Sequence, residues 1–520
     1  MSGVGKVWLV GAGPGSGDLL TIKAKRLLDT GDCIVYDRLV GDEVLSMIPP
    51  GKQLVDVGKS SRGHGAMQEE INRILIREAR LGKHVVRLKG GDPFLFGRGG
   101  EELEALIREE IPFEVVPGIS SSLAVPAYGG IPVTHRDFVS GIHVVTGHNR
   151  DGGNRNIPYK ALVEAGGTLV FLMGVGALEQ IMEGLWVGGM DRDTPAAILH
   201  RGTTAAQRTV TATVGTLAQR AKDWGIKAPS VIVVGHVCAL NRQLRWFEKL
   251  PLFGEKILVT RPHERGCRLQ EELRALGAEV LSVPVIRTVP VRDRARIEEI
   301  RTVLGQLDRY QVAAFTSVYG VERFFQVLLE SGRDVRALSH MRFAAIGQGT
   351  GDALKERGIG TDYMPAQYDG RSLGRLLAGA LTKGERILLP RSSMGSPEVL
   401  DEIGRNSRLS CRDLAVYDTE YMTEQAPLLR SFMEDGSVTG AVFTSSSTVE
   451  GFCRMTGNLS RETVRAFCIG KKTEEAAGKA GMRTVTAANA TVEALVECLL
   501  KDRLSQPAPR LLTNGENTIK

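Results

Sequence analysis

The sequence predicts an α/β protein of two halves, each made of two lobes. Three observations carry that expectation. Short Val/Ile/Leu runs alternate with helical stretches through the first half, the βαβ rhythm of a mostly parallel sheet. A set of four motifs occurs twice in the second half, in the same order, which implies two similar α/β domains. The 520 residues also include 61 glycines and only 5% aromatics, a balance that favours many tight strand-to-helix turns over an aromatic-rich β-sandwich.

In chain order, the strand of KVWLVGAGPG leads through the helix of DLLTIKAKRLLDTG to the strand CIVYD, and the helix of INRILIREARLGK leads to VVRLKGG. A Pro/Gly-rich zone spans Val115 to Thr134. Strands follow in HVVTGH, TLVFLMGV, AAILH and VIVVGHV, so two α/β lobes with a cleft between them are expected. The chain breaks near residues 240–256, between the buried strand of PSVIVVGHV and a new first strand, Ile257 to Thr260. Beyond it, FTSVYGVERF (Phe315 to Phe324) returns as FTSSSTVEGF (Phe443 to Phe452), and IGQGTGDA (Ile346 to Ala353) as IGKKTEEA (Ile469 to Ala476). ILVTR at Ile257 is echoed by ILLPR at Ile387, and VIRT at Val285 by VYDT at Val416. The FTS and IG turns precede helices, whose first N–H groups favour anions. Residues 506–520 are polar with two prolines and read as a disordered tail.

A net charge of +6 with acids and bases interspersed is too mild to argue for nucleic acid, but suits a polyanionic small molecule. Seven scattered cysteines without a CxxC read as buried thiols in a reducing cytosol. The N-terminal apolar run is too short for a signal peptide, and no run of about 18 apolar residues occurs. The expected location is therefore the cytoplasm, with no membrane partner. His64, His135, His148, His200 and His236 lack ligand spacing, so no metal is expected.

The densest chemistry lies in VVRLKGGDPFLFGRGGEE, Val85 to Glu102. A β-branched run ends in Arg87 and Lys89, then breaks into Gly90-Gly91-Asp92-Pro93. A second pair, Gly99-Gly100, opens an acidic helix start. Paired glycines let a backbone approach a flat ligand, and Asp92 can accept hydrogen bonds from ligand hydroxyls or an amine. A surface turn with incidental glycines is the plain alternative. The strand, GAGPG, helix, strand and Asp37 also imitate a dinucleotide fingerprint. Ser16 occupies the place of its third glycine, and Pro14 lacks an N–H where a pyrophosphate needs one, which argues against NAD.

Seven strings in fixed order carry a resemblance: VWLVGAGPGSGDLLT, VYDRLV, VGKSSRGHGAMQEEIN, RLKGGDPFLFGRGGEE, VVPGISSSLAVPAYGGIPVTHR, VTGH and FLMGV. Over residues 5 to about 247 they resemble the uroporphyrinogen-III C-methyltransferases. That implies a two-lobed tetrapyrrole methylase fold over residues 1–245, with lobes of about 1–117 and 118–245. It implies S-adenosylmethionine as methyl donor, held by Pro14, Gly90, Gly91, Asp92, Leu95, Ser120, Ser121, Met173 and Gly202. Ser120-Ser121 stand where the family often has Thr-Ala, and Leu95 where it often has Ile. Methyl transfer to a macrocycle carbon needs positioning and a base. The resemblance puts acid–base roles on Asp37 and Lys59; a turn cap and a solvated lysine stay open as alternatives. Arg98, His135 and Arg136 are candidate partners for substrate carboxylates. Homodimerisation through this half is a further implication.

The duplicated second half is similar to uroporphyrinogen-III synthase. This implies two flavodoxin-like lobes, 255–287 plus 417–505 and 290–415, after a linker at 246–254. Tyr417 in AVYDT matches the family's hydrogen-bonding tyrosine; a packed strand tyrosine is the alternative. Thr316, Ser317, Thr444 and Ser445 are implied to hold acetate and propionate groups. Thr473 is retained at a turn where Lys471-Lys472 replace the family's common Pro-Thr. The implied activities are closure of hydroxymethylbilane to uroporphyrinogen III with the last ring inverted, and two methylations of that product to precorrin-2. The implied partners are small-molecule tetrapyrroles. Rival readings are a methylase acting later on the corrin path, an NAD-linked dehydrogenase fused to a binding module, and a regulatory tetrapyrrole-binding protein.

Overall fold

The protein is described from a computed structural model covering residues 3–58, 68–147, 157–261, 263–405 and 409–506. Lys59, His64, His148 and all of the expected tail except Gln506 lie outside the described residues.

The first sheet consists of β1 (Val7–Gly11), β2 (Cys33–Tyr36), β3 (Gln53–Asp56), β4 (Val85–Lys89) and β5 (Phe113–Val116). Its order is β3-β2-β4-β1-β5 and every neighbouring pair is parallel. β4 is buried along its whole length, which explains an apolar run without alternation. Thr21 starts the helix Ile22–Thr30 by accepting the Ala24 N–H. Open parallel sheets bind ligands beyond the carboxyl ends of their strands. Here those ends carry GAGPG, Asp37 and Gly90-Gly91-Asp92.

The second sheet consists of β6 (Ile142–Thr146), β7 (Thr168–Leu172), β8 (Pro195–His200), β9 (Arg208–Thr213) and β10 (Ser230–Val234), in the order β6-β7-β10-β8-β9. Only β6 and β7 pair in parallel; β7–β10, β10–β8 and β8–β9 are antiparallel. Within the first half of the chain, the mostly parallel rhythm therefore belongs to the first sheet alone. The loop from Arg201 to Gln207 is too short for a crossover helix and turns β9 back along β8.

The chain falls into two units, Met1–Val283 with Glu424–Ala487 and Val492–Lys520, and Pro284–Thr423 with Ala488–Thr491. After β11 (Lys256–Val259) and β12 (Glu279–Ser282) it leaves the larger unit. The smaller unit holds β13 (Ile286–Pro290), β14 (Val312–Phe315), β15 (Arg342–Ala345), β16 (Arg386–Ser392) and β17 (Ser410–Tyr421), ordered β13-β17-β16-β14-β15. The chain then returns with β18 (Gly440–Phe443), β19 (Arg465–Cys468) and β20 (Arg483–Thr486), completing an all-parallel sheet β12-β11-β18-β19-β20.

Three of the four duplicated motifs occupy equivalent places: β11-β18-β19 in one sheet match β16-β14-β15 in the other. The fourth pair does not, because VIRT at β13 and VYDT at β17 run antiparallel beside each other in a single sheet. Both FTS serines are helix caps. Ser317 accepts the Gly320 N–H and Ser445 the Thr448 N–H. Both IG turns likewise end in a cap glycine, Gly347 and Gly470.

The returning sheet is closed by a buried ion cluster. Arg465 at the start of β19 pairs with Glu255 beside β11, and with Asp502 of the last helix, Val492–Leu504, at 2.6 Å. Its Nε also donates to the Thr439 carbonyl at 3.0 Å.

The six described cysteines are free. Burial pushes the Cys33 thiol up to about 11 and the Cys468 thiol up to about 12. Among the described residues no helix is long and apolar enough to cross a membrane.

Candidate active site

Three loops meet at the carboxyl ends of β1, β4 and β5. The Gly91 N–H donates to the Gly13 carbonyl at 2.7 Å, and the Gly13 N–H returns a bond to Gly91 at 3.2 Å. Gly118, just past β5, is wedged between them: a Cβ there would lie 2.3 Å from the Gly91 oxygen and 2.7 Å from the Gly11 Cα. Backbone packing against backbone thus requires glycine at this position. Gly90 is needed for protein packing too, since its Cβ would meet the Leu39 Cβ at 2.6 Å. Gly91 is different. It holds φ +68, and the nearest atom to its absent Cβ is the Ser121 nitrogen at 3.9 Å, so it faces open space. Of the pair, Gly91 is therefore the one with room beside it.

The Asp92 carboxylate, expected to meet a ligand, is engaged by the protein. Oδ1 accepts the Phe94 and Leu95 N–H groups at 2.8 and 3.2 Å, and Oδ2 accepts the Gly118 N–H at 3.0 Å. Asp92 therefore braces the loop that carries Leu95 against the end of β5.

Asp37 follows β2. Its Oδ1 accepts the Leu39 N–H at 3.0 Å, so it does cap a turn. Its Oδ2 lies 3.5 Å from the Arg87 guanidinium, and the side chain is 26% exposed, within reach of a bound molecule. Beneath it sits a buried network. Glu102, fully buried, accepts from Arg87 Nε at 3.2 Å, from Lys89 Nζ at 2.9 Å and from Gln68 at 3.2 Å through one oxygen. Its other oxygen has no hydrogen-bond partner among the described residues. Burial, with Arg87 adding to it, pulls the Lys89 ammonium below its ordinary pKa. Arg87 is locked by Glu102 and by the Leu88 carbonyl at 3.1 Å, so it meets Asp37 from a fixed position.

The second sheet's residues join this loop cluster at several points. Ser120 caps the helix Ser121–Tyr128 by accepting the Ser122 N–H at 3.2 Å. Gly202 packs on Val125 of that helix, where a Cβ would come within 2.4 Å of Cγ1. The Ser16 N–H, two residues past Pro14, donates to Thr203 Oγ1 at 3.2 Å. Met173 follows β7, 48% exposed, with φ 56. Six non-glycine residues take positive φ among the described residues, and five of them (Phe96, Arg98, Met173, Arg201 and Thr203) lie in these loops. Strain of this kind concentrates at ligand clamps.

Of the expected carboxylate partners, Arg98 is already paired with Glu101 at 2.9 and 2.6 Å. His135 Nδ1 accepts the Asp137 N–H at 3.2 Å, and Arg136 is exposed. Among the described residues no group of three His, Cys, Asp or Glu is placed to hold a metal ion.

In the smaller unit, the buried Tyr417 hydroxyl lies 3.1 Å from Ser317 Oγ. Its ring meets Tyr319 edge-on at 4.7 Å, and Thr316 is half-buried beside Ser317. In the larger unit, Thr444 and Ser445 follow β18, while Thr473 is buried in the helix Lys471–Lys479.

The family described as TP_methylase, Tetrapyrrole (Corrin/Porphyrin) Methylases, matches residues 6–218. The family described as HEM4, Uroporphyrinogen-III synthase HemD, matches residues 268–497. Porphyrin biosynthesis protein HemD of Ruminiclostridium josui is 44% identical over 497 residues, 96% of this chain and 98% of that protein. The chain belongs to the family of fused tetrapyrrole methylases and uroporphyrinogen-III synthases. Its methylase half is 49% identical over 243 residues to the S-adenosyl-L-methionine-dependent uroporphyrinogen III methyltransferase of Methanosarcina barkeri, covering 46% of this chain and 95% of that protein. It is also 49% identical over 245 residues to siroheme synthase of Ectopseudomonas mendocina, spanning about half of that protein (53%) and 47% of this chain. A crystal structure of uroporphyrin-III C-methyl transferase from Thermus thermophilus, complexed with S-adenyl homocysteine, matches at 41% identity and TM-score 0.40, covering 45% of this chain and 100% of that one.

Sequence reasoning noted Arg87 and Lys89 at the end of their strand, and Glu102 in the helix start, but gave none of the three a role. A usable signal existed. Arg87 and Lys89 are charges two apart in an otherwise apolar strand, hence on one face, and a buried pair of that kind needs a carboxylate. The strained Arg201 and Thr203 carried no such signal, because φ is not written in residue type.

Proposed function

We propose that this methylase–synthase is bifunctional. The synthase half closes hydroxymethylbilane to uroporphyrinogen III with ring D inverted, and the methylase half moves two methyl groups from S-adenosylmethionine onto that product, giving precorrin-2. The observation that carries the reading is a partly exposed Asp37, fixed by Arg87 beside a glycine cradle at strand carboxyl ends, in a chain that matches a fused relative end to end.

In ring closure the terminal hydroxyl leaves as water, and the electrophile so formed is attacked by a carbon within the same chain. The protein's task is to hold a flexible polyanion so that the inverting carbon attacks. Tyr417 donates a hydrogen bond that assists the leaving hydroxyl, while Thr316, Ser317, Thr444, Ser445 and Thr473 hold carboxylate arms. In methyl transfer a pyrrole carbon attacks the sulfonium methyl, the C–S bond breaks, and S-adenosylhomocysteine leaves. A proton must then be lost, and Asp37 is the base that takes it, with Lys59 as its acid–base partner. Pro14, Gly90, Gly91, Asp92, Leu95, Ser120, Ser121, Met173 and Gly202 hold the donor. The reading includes a cytoplasmic homodimer formed through the methylase half.

Purified protein given hydroxymethylbilane and S-adenosylmethionine is expected to yield a doubly methylated product, read by mass and absorbance. Uroporphyrinogen III accumulating without methylation overturns the methylase assignment. Binding of NADH in place of the donor, in a fluorescence titration, overturns both the donor and the site.

Gly118→Ala tests the glycine cradle. Its Cβ has no space, so three loops must separate, at a cost of about 1–3 kcal/mol as for other overpacked sites. The expected result is a lower melting temperature and lost S-adenosylhomocysteine binding by calorimetry. Gly379→Ala, on the exposed side of the helix Gly370–Ala380 with nothing within 4 Å, is expected to keep both.

A further inference from the structure

One short helix links the methylase's donor loop to the first synthase lobe within the larger unit. Asp42–Ser46 rests on the GAGPG loop backbone to backbone: a Cβ on Gly41 would fall 2.4 Å from the Gly15 oxygen. Glu43 of this helix is buried. Its Oε2 accepts the Gly17 N–H at 3.1 Å, and its Oε1 is paired with Arg274 of the helix His263–Ala275 in the synthase half. Three more contacts pin the same segment to the synthase lobe. Lys256 Nζ donates to Asp42 at 2.6 Å, the Ser282 N–H to Ser46 Oγ at 3.0 Å, and Gln425 Nε2 to the Ile48 carbonyl at 3.3 Å.

The other flank of the donor loop is held in the same way. The Ser16 N–H rests on Thr203, and Glu279 of β12 accepts the Ala205 N–H at 3.0 Å. Between the two flanks lies a cavity of about 280 Å³, lined by Ser16, Glu43, Tyr128, Trp246, Arg274 and Glu279.

Arg274 gives this arrangement a chemical sense. Burial pushes the Glu43 carboxyl up, while Arg274 and the Gly17 N–H pull it down. Without the guanidinium the effect of burial is less opposed, and Oε1 loses the partner that fixes the side chain whose Oε2 restrains Gly17, three residues past Pro14.

We propose that Arg274, a residue of the synthase half, is a positioning residue for methyl transfer, acting through Glu43 to hold the loop Gly13–Gly17 in its donor-binding form. The inference rests on the assignment of that loop to the donor under the proposed function. It makes the methylase's donor affinity depend on the docked synthase lobe, and by linkage donor binding strengthens the docking.

The test uses the full-length chain. Arg274→Ala is expected to raise KM for S-adenosylmethionine about tenfold, within the range usual for coupled sites, and to weaken S-adenosylhomocysteine binding equally, with kcat changed less than about twofold. Arg274→Lys restores part of the loss. Glu43→Gln, which keeps an oxygen for Gly17 but turns an amide toward Arg274, reproduces the KM effect without leaving a cavity, so the test survives if Arg274→Ala fails to fold. Arg268→Ala on the exposed face of the same helix leaves KM unchanged. An unchanged KM in Arg274→Ala or Glu43→Gln alongside a lowered melting temperature overturns the proposal, since the bridge would then be structural only. Failure of the unaltered protein to bind S-adenosylhomocysteine would instead remove the functional reading beneath it.

Discussion

Asp37→Asn leaves ring closure unchanged and lowers methyl transfer by about 10²- to 10⁴-fold, the usual worth of a positioned acid or base. The substitution is nearly isosteric. Its amide oxygen can still accept the Leu39 N–H that the carboxylate accepts at 3.0 Å, so the turn after β2 survives. What disappears is the basic oxygen facing Arg87. Both activities are read on one preparation, which makes ring closure the folding control. Loss of both points to a disturbed fold, and undiminished methyl transfer removes Asp37 from the chemistry.

Arg465→Met costs the larger unit about 3–5 kcal/mol, because it strands carboxylates in the interior. Arg465 is buried and serves Glu255, Asp502 and the Thr439 carbonyl at once. Arg503 at 3.4 Å from Glu255 and Arg483 at 3.2 Å from Asp502 stay within reach, which favours the lower end of the range. The readout is the urea midpoint of the transition that involves this sheet. Adding Glu255→Gln and Asp502→Asn to Arg465→Met is expected to recover part of the loss, since the stranded charges are then gone. An unchanged midpoint in Arg465→Met overturns the assignment.

Sequence patterning was most informative where neighbours in the chain are neighbours in space. The apolar runs became β1, β2, β4, β6, β7, β8 and β10 with small shifts of their ends. The FTS and IG repeats became matching strand–cap–helix units, because a serine or glycine cap works within its own turn. β9 was not foreseen: Thr209, Thr211 and Thr213 alternate with small apolar residues and resemble a loop until β8 pairs with them. The antiparallel course of the second sheet followed from one loop length. The roles of Arg87, Lys89 and Glu102 depend on a helix folding back over a strand. Those of Glu43 and Arg274 join residues far apart in the chain. On its own helix each of those charges looks like an ordinary solvated residue.

The order of the strands also governs how this polypeptide can be made. The first sheet draws all its strands from one unbroken stretch, Val7 to Val116, so it can assemble soon after that stretch leaves the ribosome. The sheet begun by β11 must wait for β20 and for a helix ending at Leu504 before Asp502 can reach Arg465. The lobe spliced into its middle is therefore finished before the lobe that hosts it, and a nascent chain halted short of Gly440 would leave β11 without β18, the inner neighbour it pairs with in the finished sheet.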